Sequence, residues 1–207
     1  MPNLRTLKKA GIALAAAATL ATFSALPAAA NPVEDFFRSF STPGDYSGGQ
    51  GPSWEYRRQT VSFRTNEKPG TVIIDTRNKF LFYVLGNGRA IRYGVGVGRE
   101  GFGWRGTVHV ARKAEWPGWT PPKEMVARER RRGRIIPNYM PGGQGNPLGA
   151  RAMYLFDGGR DTMFRIHGTS EPWTIGHNVS SGCIRLVNAD VVDLYNRVRI
   201  GAKVIVL

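Results

Sequence analysis

The chain has 207 residues, one cysteine and a formal net charge of +14. A lone cysteine excludes a scaffold stapled by internal disulfides, and an excess of basic over acidic residues (29 against 15) favours polyanionic partners. After the first thirty residues, no apolar stretch approaches the roughly 20 residues that a membrane-spanning helix needs.

At the N-terminus, Arg5, Lys8 and Lys9 precede an apolar run from Ala10 to Ala18, and Ala28-Ala29-Ala30 offers small residues where a signal peptidase reads. Residues 1–30 therefore read as a secretory signal peptide cleaved after Ala30. The run is short and alanine-rich for a retained span, and Leu26-Pro27 would disturb a helix there. The expected product lies in the periplasm or cell wall, with no transmembrane segment after signal removal. Export argues against nucleic acid as the polyanion, leaving the anionic polymers and lipid surfaces outside a bacterial cell.

Residues 31–58 read as a flexible Gly/Pro/Ser-rich tether, carrying Ser41-Thr42-Pro43-Gly44 and Ser47-Gly48-Gly49-Gln50-Gly51-Pro52. Residues 59–207 form one domain. Its β-branched and aromatic runs predict strands over 71–75, 79–85, 89–97, 107–111, 151–156, 163–167 and 203–207. Asn87-Gly88 sits between two of them and signals a tight hairpin, because both residues tolerate positive φ. One helix is predicted, capped by Asn188 and running through Val191, Leu194 and Val198. Residues 117–149 are dense in Pro and Gly and read as a long irregular excursion, which could cover a cleft as a lid. Its basic run from Arg128 to Arg134 reads as a solvated surface. The fold class is mainly β, a sandwich or flattened barrel with a short helix near the end.

Two patterns carry no function. Gly96-x-Gly98-x-x-Gly101 matches a dinucleotide fingerprint in letters, but that fingerprint needs a helix N-terminus to receive a pyrophosphate, and a strand pattern follows instead. His109, His167 and His177 lack any close ligand pairing, so neither a metal nor a cofactor is expected.

Residues 165–186 are different. His167 ends a strand, an irregular stretch follows, and the lone Cys183 comes after Ser180-Ser181-Gly182. Acyl transfer through a thiol needs an imidazole to take the proton, and preorganised N–H groups for the oxyanion. A glycine before the nucleophile admits close approach, so the backbones of Gly182 and Cys183 are candidate donors.

His167-Gly168-Thr169, Ile175-Gly176 and Ser180-Ser181-Gly182-Cys183-Ile184-Arg185 resemble the signature of the L,D-transpeptidase catalytic domain family. The likeness extends from about residue 57 to 207, through 71–75, 94–98, 106–107, 146–149 and 201–206. It implies Cys183 as nucleophile, His167 as general base and Gly168 as the residue whose carbonyl orients the ring. It also implies Gly182 and Cys183 as the oxyanion hole, with Arg185, Ser181 and Thr169 holding the loop or substrate. Many members have histidine where this chain has Ser181, so no second imidazole comes from that position.

The resemblance further implies peptidoglycan stem peptides as donors, release of D-alanine, and acylation of Cys183 by carbapenem-type β-lactams. The acceptor would be a stem amine, a lysine of an outer-membrane lipoprotein, a D-amino acid or water. Two rivals stay open: a basic wall-binding module without catalysis, and a hydrolase using the same thioester.

Overall fold

The computed structural model describes residues 51–100 and 102–207. The expected signal peptide and most of the expected tether lie outside the described residues. In chain order the elements are β1 (Gln59–Ser62), β2 (Val72–Asp75), β3 (Phe80–Gly86), β4 (Arg89–Gly94), β5 (Val97–Gly98) and β6 (Gly106–Glu115). Helix α1 (Lys123–Arg131) follows, then β7 (Arg151–Asp157), β8 (Arg160–His167), β9 (Asn178–Ser180), β10 (Ile184–Arg185), α2 (Asn188–Arg197) and β11 (Lys203–Val206).

The fold is mainly β, as the sequence predicts. Nine strands form one mixed sheet in the order β1-β4-β3-β2-β11-β6-β7-β8-β10, and β5 pairs with β9 in a second, two-stranded sheet. Gly96, just after β4, bonds in both directions with Arg185 of β10 at 2.9 Å. One edge strand is thereby joined to the chain leaving the strand next to the other edge. This isolated bridge curls the sheet by tying β10 to the link between β4 and β5, while β1 keeps the other edge.

The enclosed core is aliphatic. Val72, Ile74, Leu81, Val110, Met153, Leu155, Ile166, Leu186 and Val204 have no exposed surface. Helix α2 adds Val191, Leu194 and Val198 at helical spacing, each buried side chain stabilising the fold by about 1.5–3 kcal/mol. Lys113 of β6 donates to the carbonyls of Tyr195 and Val198 at 2.5 and 2.7 Å, satisfying acceptors at the C-terminus of α2.

Three local expectations change. The hairpin at Asn87-Gly88 is present, with φ of 52° and 69°. The strand predicted over 89–97, however, is two: the chain leaves the large sheet after Gly94 and resumes as β5. The excursion over 117–149 contains α1, which the sequence reading left irregular. Here Arg128, Arg132 and Arg134 pair with buried Glu129, while residues 130–134 stay exposed, as the solvated reading of the basic run expects. Asn188 does not cap α2: Val187 holds the N-cap position, and the Asn188 side chain points away to Ala150.

The last residues of segment 31–58 dock on the domain. Tyr56 packs against Phe80 with ring centroids 5.5 Å apart, and Arg58 pairs with Asp193 at 3.2 Å.

Candidate active site

Strands β8 and β10 run parallel, with Ile184 beside Ile166 and Arg185 beside His167. Both isoleucines are buried in the core. Side chains alternate along a strand, so Arg165, His167 and Arg185 share the other face. Continuing the register by one residue sets Cys183 beside Arg165 and one pleat from His167. The contact at the sulfur agrees: Met163 O lies 4.0 Å from Sγ. The sheet thus sets the predicted cysteine and histidine on adjacent strands with their side chains on one face.

His167 is buried, and its Nδ1 lies 2.6 Å from Gly168 O. A carbonyl only accepts, so this contact favours the tautomer with the proton on Nδ1. Burial depresses the imidazole pKa to about 3, helped by the positive charge of Arg185, while hydrogen bonds to the Gly168 and Leu148 backbones pull the other way. Cys183 as a residue is partly exposed, yet protein crowds its sulfur, and burial raises the thiol above its ordinary value. The Arg165 N–H and the charges of Arg165 and Arg185 offset only part of that rise. The resting pair is therefore a neutral thiol and a neutral imidazole.

The loop before Cys183 is tied by a residue the sequence reading passed over. Ser180 Oγ accepts from Gly182 N–H at 3.1 Å and donates to Cys183 O at 2.6 Å. The expected Gly182 oxyanion donor is therefore engaged by Ser180, while Cys183 N–H has no protein acceptor among the described residues. Gly182 adopts φ +110°, and a Cβ there would lie 2.3 Å from the Phe164 ring. Trp104 stacks on that ring at 4.8 Å and donates to Gly182 O at 3.2 Å. Only glycine fits this position on both counts.

The other predicted residues are distributed as follows. Arg185 donates to Glu171 at 2.8 Å. Thr169 is buried and its hydroxyl accepts from Glu171 N–H at 3.0 Å, a local turn. Ser181 faces the Arg99 guanidinium at 3.4 Å. His109 and His177 are exposed. Behind the loop, a groove of about 360 Å³ is bordered by Gly182 and by Arg77, Lys79, Arg99 and Arg105, with Glu100 as its acidic member.

A family model described as the L,D-transpeptidase catalytic domain matches residues 69–206. The chain belongs to that family. It is 36% identical over 139 residues to the probable L,D-transpeptidase YbiS of Escherichia coli K12, covering 65% of this chain and 43% of that one. A putative L,D-transpeptidase from Fuscovulum blasticum is 32% identical over 210 residues, covering 99% of this chain and 97% of the relative. The chain spans less than half the length of YbiS, the first of the curated relatives it matches.

A solved Brucella melitensis structure bearing the name probable carnitine operon oxidoreductase shares 47% identity, at a TM-score of 0.50 over 80% of this L,D-transpeptidase-family chain and all of that one. A dinucleotide site of the kind weighed above requires a helix after the glycines. The next element after β5 is strand β6.

Proposed function

We propose that this protein is an exported L,D-transpeptidase that acts on peptidoglycan, with Cys183 as nucleophile and His167 as general base. The observation that carries the reading is the β8–β10 pair, in which His167 and the chain's only cysteine lie on adjacent strands with their side chains on one face.

In the first step Nε2 takes the Sγ proton as sulfur attacks the carbonyl that follows an L-configured centre of a tetrapeptide stem. The C–N bond to the terminal D-alanine breaks, and the imidazolium returns the proton to the departing amine. Cys183 N–H is placed to meet the developing oxyanion. An acceptor amine then attacks the thioester, gives its proton to His167, and the thiol is restored. A neutral resting pair suits this sequence, since the proton moves only when attack occurs. The Arg77, Lys79, Arg99 and Arg105 groove complements stems rich in carboxylates. Arg185 acts by holding the loop, because its guanidinium is committed to Glu171.

The acceptor is a stem amine, a lipoprotein lysine, a D-amino acid or water; the last would make the protein a hydrolase. The wall-binding alternative draws support from the charge, but gives no role to a base oriented beside a thiol. Simple thiol alkylation does not separate these readings, because the resting thiol is protonated in either case. The deciding test is incubation of the protein with disaccharide-tetrapeptide, with Cys183→Ala alongside. Cysteine-dependent release of D-alanine and a transient acyl mass on the protein support the proposal. Folded wild-type protein that releases none overturns it.

A further inference from the structure

We infer that Asn188 is a positioning residue for the base, locking the Gly168 carbonyl that fixes the His167 tautomer. The inference rests on the reading of His167 as general base, but its central observable does not depend on turnover.

Asn188 opens α2, yet its side chain makes no cap bond; Oδ1 instead accepts from Ala150 N–H at 2.9 Å. Ala150 ends the long excursion and precedes β7. The same oxygen fills the space beside two glycines: a Cβ on Gly149 or on Gly168 would lie 2.3 Å from it. Gly149 also abuts the Gly168–Thr169 peptide, with a Cβ there 2.6 Å from Gly168 C and Thr169 N. One amide oxygen therefore sits where the excursion's end, the first turn of α2 and the residue after His167 converge.

The peptide it touches is the one that orients the ring. Gly168 O receives Nδ1–H at 2.6 Å, Gly168 N donates to Arg151 O at 3.0 Å, and His167 O accepts from Leu186 N at 2.8 Å. These bonds fix the chain on the near side of the Gly168 carbonyl. On the far side, the Gly168–Thr169 peptide plane packs on Gly149, and Gly149 is held by the Asn188–Ala150 bond. Without it the carbonyl can swing, and the imidazole can place its proton on either nitrogen. A ring protonated on Nε2 cannot accept the Cys183 proton. Two glycines keep space for an amide oxygen that serves no helix, and the positioning role accounts for that space.

The test uses the full chain with ¹⁵N-labelled histidine and compares wild type, Asn188→Ala and Asn188→Asp. Aspartate keeps an acceptor oxygen at the same place; alanine removes it. Wild type and Asn188→Asp are expected to show one Nδ1–H tautomer of His167. Asn188→Ala is expected to show a mixture, and to be acylated by a carbapenem about 10–100-fold more slowly, a range spanning the lower reach of general-base effects. An unmixed Nδ1–H tautomer in Asn188→Ala overturns the inference whatever the rate. If the alanine variant fails to fold, a mixed tautomer in Asn188→Asp overturns it equally. The ring is read without substrate, so absence of D-alanine release, which sinks the transpeptidase reading, leaves this outcome separately visible.

Discussion

Arg185 and Glu171 join the two ends of the loop that separates the histidine from the cysteine, with the guanidinium donating to the carboxylate at 2.8 Å. Both side chains are about four-fifths buried, so the pair is less screened than a surface bridge. The carboxylate also offsets a cation that depresses the imidazole. Replacing Glu171 by alanine leaves that cation partly unpaired. The expected result is a loss of roughly 1–3 kcal/mol of stability and a further fall in the basicity of His167. Thermal melts and the acid limb of the acylation rate against pH measure the two effects separately.

Substituting His167 by glutamine removes the proton acceptor while leaving a hydrogen-bonding side chain. Acylation of Cys183 should slow by about 10²–10⁴-fold, read by intact mass over time. A slowing below tenfold would take His167 out of the base role.

The buried histidine also predicts how stability follows pH. Its folded pKa of about 3 lies below the ordinary value of 6.5, so the unfolded chain binds a proton that the folded chain refuses. Stability from this group is present above 6.5 and falls as pH drops toward 3, by about 1 kcal/mol per unit. Asp190 works in the opposite sense: burial raises its carboxyl to about 6, although Arg58 pulls it down. Its contribution is full below about 4 and is lost as pH rises through 6. Between pH 4 and 6 the two slopes oppose each other. Across that range denaturant melts should lose stability toward acid for Asp190→Asn, and show the reverse slope, losing stability as pH rises, for His167→Gln.

Gly182→Ala tests the loop sterically. The left-handed φ and the collision with Phe164 should together cost about 2–4 kcal/mol or displace the loop, with loss of acylation. Adding Phe164→Ala relieves the collision but not the backbone strain, so melts of the double variant should show partial recovery.

The basic groove should appear as a salt effect. With Arg77 and Arg105 both changed to glutamine, KM for a carboxylate-bearing stem should rise several-fold and depend less on ionic strength. Steady-state kinetics at two salt concentrations decide it.

Local chemistry explains which features could be read in advance. Asn87-Gly88 specified its hairpin because Asn and Gly both tolerate the positive φ that the turn requires. The segment from His167 to Arg185 was legible as a motif, and the register of β8 with β10 puts its histidine and cysteine on adjacent strands. Helix α1 escaped because its stabilising event is Glu129 folding under three arginines, which leaves no apolar stripe to count. Asn188 was read as a cap from its place before an apolar periodicity, whereas its oxygen answers a donor 38 residues earlier in the chain. Ser180 was passed over because its bonds are to backbone, yet a serine three residues before a tightly turned cysteine was a signal for them.

The Gly96–Arg185 bridge makes the two-residue strand after the nucleophile a seam rather than a free margin. Arg185 is held by β8 on one flank and by Gly96 on the other, so opening it parts both neighbours at once. Amide protons of Gly96 and Arg185 should therefore exchange with solvent as slowly as those deep in β2 and β7. The frame beneath the cysteine is thus expected to open only when the protein unfolds.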